Sequence, residues 1–176
     1  STALFMLGDA TGHGIGPALS VTQVRSMAHM AVRLRGDLDH TITEMNAQLS
    51  KDLAASRFVT AFFGILSSSN HVLNYHAPGQ GPLLFLSHQH DRMDALDAST
   101  IPLGITSSMP LSHPKPIAFE PGDIFAVMSD GFFEYDKPGG EQFGQDRVIA
   151  NLKRNRERTS EEIVQALVEE VETFAE

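Results

Sequence analysis

The chain has 176 residues, 41% of them hydrophobic and 20% charged, enough for one globular domain with its own core. A formal charge of −9 argues against a nucleic-acid partner, because phosphate neutralisation needs a basic face. Without cysteine there is no disulfide, thiolate metal site or cysteine nucleophile. With no membrane-length apolar run and no signal-peptide pattern, a cytoplasmic protein without direct membrane contact is expected.

Residues 3–7 read as a short buried strand that runs into a glycine-rich turn over 8–16. Pro17 sits where a helix can start, since its missing N–H costs nothing in the first turn. Leu19, Val24, Met27, Ala28, Ala31 and Leu34 supply a helical apolar stripe, and Gly36 suits its stop. A second helix follows, capped by Asp37 or Asp39, with Leu38, Ile42, Met45, Leu49 and Leu53 on one face. Only polar residues separate the two, so an antiparallel helix pair between Gly16 and Ala55 is predicted. The period then changes: 58–66 and 72–75 are strand-like runs on either side of a polar turn, and 82–86 is a third. The polar stretch 88–99 reads as a surface loop or irregular edge. Two further strands, 117–119 and 124–128, are joined by the turn Glu120-Pro121-Gly122-Asp123. Helices over 145–154 and 160–174 close the chain, and Thr159 with Glu162 has capping-box spacing. The basic group Lys153, Arg154, Arg156 and Arg158 complements the end of the first of these helices. Strands grouped rather than alternating with helices point to an α+β fold with antiparallel sheet, in one domain covering 1–176 without a linker.

Two places could carry chemistry. In Gly8-Asp9-Ala10-Thr11-Gly12-His13-Gly14, Asp9 leaves a strand into a turn whose glycines let backbone approach an anion closely. Its carboxylate and the Ala10 carbonyl could hold a hard cation, but taken alone an ordinary turn in which Asp9 hydrogen-bonds nearby amides is the expected reading. In Ser129-Asp130-Gly131 a second aspartate ends a strongly apolar strand. Oxygen-only ligands favour Mg²⁺ or Mn²⁺ over zinc. His13 could protonate a leaving serine oxygen or orient the turn, and the turn-orienting role is the expected one. The other seven histidines show no metal-ligand spacing in the sequence.

The ordered set of segments is more specific. Gly8–Gly14 as above is followed by Phe58-Val59-Thr60-Ala61-Phe62-Phe63-Gly64 and Tyr75-His76-Ala77-Pro78-Gly79-Gln80-Gly81-Pro82. Then come Pro102-Leu103-Gly104-Ile105, Pro121-Gly122-Asp123, Ser129-Asp130-Gly131-Phe132-Phe133-Glu134 and Glu141-Gln142-Phe143-Gly144. In this order and spacing the chain resembles the bacterial SpoIIE-like serine/threonine phosphatases of the metal-dependent PPM (type 2C) class, over almost its whole length.

The resemblance implies a four-layer sandwich, with two antiparallel sheets flanked by helix pairs, and two Mn²⁺ or Mg²⁺ ions in the complete domain. It implies hydrolysis of phosphoserine or phosphothreonine on a regulatory protein, such as an anti-sigma-factor antagonist, by a metal-bridging water. On that pattern Asp9 bridges both ions, Ala10 offers its carbonyl and Asp130 binds one ion. Asp9 and Asp130 are therefore expected at one edge of the fold. An upstream sensory or receiver domain acting through the helix pair, and a homodimer, belong to the same expectation. The family's Gly-Gly-Asp-aromatic-x-Asp strand and its late paired aspartates have no counterpart between Ser1 and Glu176, so the domain is expected to be incomplete at both ends. The family's Gly-His-Asn segment reads Gly79-Gln80-Gly81, and Thr11 stands where the wider class has a histidine. The alternative is a phosphatase-fold module, weak or inactive in catalysis, that binds a regulatory partner.

Overall fold

The computed structural model describes residues 2–54, 57–137 and 139–175. In chain order the elements are β1 (Thr2–Ala10), α1 (Ile15–Arg33), α2 (Leu38–Asp52), β2 (Val59–Ser67), β3 (Val72–His76), β4 (Leu83–Ser87), β5 (Arg92–Leu96), β6 (Ile117–Ala118), β7 (Ile124–Ala126), α3 (Gly144–Asn155) and α4 (Ser160–Ala175). A short 3-10 turn, Asp130–Phe132, follows β7. The strands form two antiparallel sheets, β1-β2-β3-β6 and β5-β4-β7, which with the helices make the α+β fold expected from the sequence. The chain divides into two compact units, one built from 1–81 and 97–118, the other from 82–96 and 119–176.

The first unit packs the α1–α2 pair on the four-stranded sheet. Its core holds Val24 and Ala28 from α1, Ile42, Met45 and Leu49 from α2, and Val59, Ala61 and Phe63 from β2, closed by Leu103. Asp37, not Asp39, caps α2, accepting a hydrogen bond from the His40 amide at 3.0 Å. That satisfies one of the orphan amides of the first turn and leaves the Asp39 carboxylate for other partners. Gln23 in α1 bonds Asp52 at the far end of α2, so the two helices run antiparallel. Ala55, the expected end of the pair, lies outside the described residues; α2 itself ends at Asp52.

In this unit two expectations change. The run 3–7 is not buried: β1 lies at the end of the sheet order, pairing only with β2, and Phe5 is 50% exposed. In α1 the buried stripe is Pro17, Ser20, Val24 and Ala28, whereas Leu19 and Leu34 face outward. Gly36 does help stop α1, its amide reaching Ala31 O at 2.8 Å, but Arg35 is the residue with positive φ (52°).

In the second unit β4 is the central strand and β5 and β7 flank it. Leu84, Met128, Phe143, Val148 and Leu152 pack with Ile163, Leu167 and Val171 of α4. The stretch expected to be a loop or irregular edge contains β5, in register with β4 from Leu83↔Leu96 to Ser87↔Arg92. The turn at 120–123 forms as expected, with Gly122 at φ 91° and Asp123 Oδ2 accepting from the Glu120 amide. It does not make a hairpin, because β6 pairs with β3 and β7 pairs with β4. The capping box is complete: the Thr159 amide donates to Glu162 Oε2 at 2.9 Å, and the Glu162 amide donates to Thr159 Oγ1 at 3.3 Å. Arg154 pairs with Glu170 and Arg156 with Asp91, so half of the basic group is neutralised locally.

Candidate functional site

Asp9 and Ala10 are the last two residues of β1, opposite Thr60 and Val59 of β2. The strand thus extends further than the apolar run, because the ladder with β2 continues through these polar and small positions. Directly after it, Thr11 closes the strand end. Its amide donates to Phe58 O at 3.1 Å, its hydroxyl donates to the same oxygen at 3.2 Å, and the Phe58 amide donates back to Thr11 Oγ1 at 3.1 Å. Gly12 and Gly14 then take φ of 91° and 89°, a region open to glycine at little cost, before α1 begins.

This arrangement aims the Asp9 side chain at solvent. Among the described residues its carboxylate has no hydrogen-bond or ion-pair partner, so it is not the self-bonded aspartate of an ordinary turn. An exposed, unpaired carboxylate beside a fixed carbonyl is a donor pair that suits a hard, partly hydrated cation. His13 is exposed and also makes no hydrogen bond among the described residues. The turn-orienting part expected of it is played by Thr11.

Asp130 opens the 3-10 turn rather than ending a strand; β7 stops four residues earlier, at Ala126. Its carbonyl accepts the amides of Phe133 and Glu134, both at 2.8 Å, which anchors the turn through backbone. Its carboxylate is exposed and, like that of Asp9, has no partner among the described residues. Asp9 and Ala10 belong to the first unit and Asp130 to the second.

One cluster is absent from the sequence reading. His76 Nε2 lies 2.8 Å from Asp39 Oδ1, and His113 Nδ1 lies 3.5 Å from Asp39 Oδ2. These three residues come from β3, α2 and the segment before β6, each 37 positions from the next, so no local spacing could reveal them.

Among relatives, the family model described as "Stage II sporulation protein E (SpoIIE)" matches residues 1–176. The chain is 23% identical over 128 residues to the protein named "Phosphoserine phosphatase RsbU" of Bacillus subtilis, covering 73% of this chain and 38% of that protein's length. The chain therefore spans well under half of that curated relative. Solved structures that share the fold include the following two. The "SiaA-PP2C domain of Pseudomonas aeruginosa" has a TM-score of 0.81 at 19% identity, covering 98% of this chain and 69% of that one. RsbX, solved in complex with magnesium, has a TM-score of 0.66 at 16% identity, covering 94% and 77%.

Proposed function

This chain belongs to the SpoIIE family, and on that footing we propose that it carries the metal-dependent hydrolysis of phosphoserine or phosphothreonine on a regulatory protein. The observation that carries the reading is the strand end at Asp9–Ala10. There the Asp9 carboxylate faces solvent with no partner among the described residues, next to the Ala10 carbonyl, on a strand end closed by the Thr11–Phe58 bonds. The family match runs through both compact units, which supports treating them as one phosphatase domain. The phosphoserine in the name of the Bacillus relative supports the substrate class, with a phosphorylated anti-sigma-factor antagonist as the model substrate. An upstream sensory or receiver domain and a homodimeric state belong to the same proposal.

In this reading Asp9, the Ala10 carbonyl and Asp130 hold divalent cations, Mn²⁺ or Mg²⁺, and the magnesium in the RsbX structure supports that metal class. When bound, such ions neutralise phosphoryl charge and acidify water, which replaces a side-chain nucleophile. The chain's own part is positional. Thr11 keeps β1 from fraying at the metal-facing residues, and Gly12 with Gly14 keeps the turn free of side chains where a phosphate would approach. No helix among the described residues is long and apolar enough to cross a membrane.

Turnover of a phosphoserine peptide with Mn²⁺ tests the proposal. Removing several kcal/mol of charge stabilisation predicts that Asp9→Asn and Asp130→Asn each lower kcat by at least about 100-fold. Both side chains are exposed and unpartnered, so the thermal midpoint should stay in place. Variants that hydrolyse the peptide as the parent does refute the assignment. A parent protein that binds the phosphoprotein tightly without turnover favours a docking module instead.

A further inference from the structure

We propose that Asp39, His76 and His113 form a separate site for a borderline transition cation of the Zn²⁺ class. The argument starts from His76, the last residue of β3, which is 6% exposed. Its Nδ1 lies 2.9 Å from the carbonyl oxygen of Ser112. A carbonyl accepts and cannot donate, so Nδ1 carries a proton; Nε2 faces the cluster, and a bound cation would take the place of the proton that Nε2 shares with Asp39. That is the arrangement of a metal-ligating histidine, whose second nitrogen donates to a backbone carbonyl that fixes tautomer and ring orientation.

Nε2 faces a carboxylate oxygen of Asp39 at 2.8 Å, and the other oxygen faces His113 Nδ1 at 3.5 Å. The three ligand atoms all lie within 4.8 Å of one another. A tetrahedral ion bound at about 2.0–2.1 Å holds its ligands about 3.4 Å apart. The separations present, 2.8 Å from Oδ1 to His76 and 3.5 Å from Oδ2 to His113, lie on either side of that value, so a rotation of the half-exposed Asp39 carboxylate and of the exposed His113 ring would be needed to bring one oxygen and both nitrogens to it. The rings of His76 and His113 meet edge to face at 5.7 Å, so neither blocks the other's approach. His113 is 67% exposed at its side chain, which gives an ion a path in.

Two imidazoles and one carboxylate favour Zn²⁺ over Mg²⁺ or Ca²⁺, the opposite preference to the oxygen donors at Asp9 and Asp130. Three protein ligands leave one position for water or a partner's side chain. All three ligands lie within the first compact unit, so the site does not depend on the phosphatase reading. An occupant would join the first turn of α2 to the end of β3 and to the segment at 105–116. Asn46 of α2 already holds that segment from the other side, its amide donating to Thr106 O and its oxygen accepting from the Gly104 amide.

The test is a Zn²⁺ titration by calorimetry on metal-stripped protein in excess Mg²⁺, with Co²⁺ absorption as the spectroscopic probe. One Zn²⁺ equivalent, a tetrahedral Co²⁺ spectrum and a Zn²⁺-dependent rise in Tm are expected in the parent and in Asp9→Asn. His113→Ala, on an exposed side chain, and the isosteric Asp39→Asn should each weaken Zn²⁺ binding by at least about 10-fold. His113→Ala covers the case in which a change at the buried end disturbs folding. Zn²⁺ binding that is absent from the parent, or unchanged in both variants, overturns the proposal and leaves the cluster as a hydrogen-bonded His–Asp contact.

Discussion

Replacing Thr11 by valine keeps the shape of the side chain and removes a hydroxyl that serves two bonds. The backbone bond from the Thr11 amide to Phe58 O survives, so the carbonyl keeps one donor. The Phe58 amide loses its acceptor at 3.1 Å and gains nothing in return. An unsatisfied amide costs about 1–3 kcal/mol, and since both residues are only partly buried, water can reach the gap. A loss of about 1 kcal/mol is therefore expected. With a urea m-value of about 2 kcal/mol/M, the midpoint of the transition falls by about 0.5 M. Hydrogen exchange gives a local reading: the Phe58 amide should exchange about 5-fold faster or more, as RT ln 5 is about 1 kcal/mol. Because the same bonds hold Asp9 and Ala10 in line, the proposed metal role of these residues predicts that turnover will need a higher concentration of divalent cation. Thr11→Ser restores the hydroxyl and should behave as the parent. If valine leaves both the midpoint and the Phe58 exchange rate unchanged, or if serine behaves like valine, the strand end is not held in the way argued.

Gly79→Ala should be costly for two reasons: φ is +66°, and an added Cβ would stand 2.4 Å from Pro102 Cγ. Left-handed backbone and overpacking together predict about 2–4 kcal/mol of destabilisation, while Gly14→Ala, with φ +89° and nothing within 4 Å, incurs only the first; equal losses in chemical denaturation would contradict this. Acid sensitivity should run through Glu162 and Glu141. The Thr159 amide and hydroxyl hold the Glu162 carboxyl below the ordinary glutamate value of 4.5, and Lys137 with Arg147 does the same for Glu141. A depressed folded-state pKa gives stability that is present above the ordinary value and disappears as pH falls through the folded one. Glu162→Gln and Glu141→Gln should therefore flatten the loss of stability below about pH 4.5, and an unchanged slope in both would count against the assignment.

The α2 face was readable because its periodicity is local: Ile42, Met45 and Leu49 are all buried, and the Thr159–Glu162 box needed only a spacing of three. What an apolar run cannot tell is which side will be covered. Residues 3–7 look like an interior strand, yet β1 pairs on one side only. The strand β5 went unread for the converse reason, since Arg92, Asp94 and Ala95 carry little hydrophobic signal and its partner β4 supplies the apolar half of the pair. At the site, strand followed by glycine-rich turn was visible around Asp9 and Ala10. The role of Thr11 was not, because its partner Phe58 is 47 positions away. The Asp39–His76–His113 grouping was invisible for the same reason, being a property of three elements and of no single stretch.

The chain passes between its two compact units after residues 81, 96 and 118, and this has a consequence for synthesis on the ribosome. The β4–β5 hairpin leaves the exit tunnel long before α3 and α4, whose Val148, Leu152, Ile163 and Leu167 cover Leu84. At about 5–20 residues per second, the roughly 70 residues between β5 and α4 keep that hairpin uncovered for several seconds. Leu84 would spend that interval without its final neighbours on α3 and α4, in a strongly apolar strand. The second unit should thus be the part of the nascent chain that trigger-type chaperones engage. Synonymous changes that slow translation beyond residue 96 should lower soluble yield without altering the finished protein.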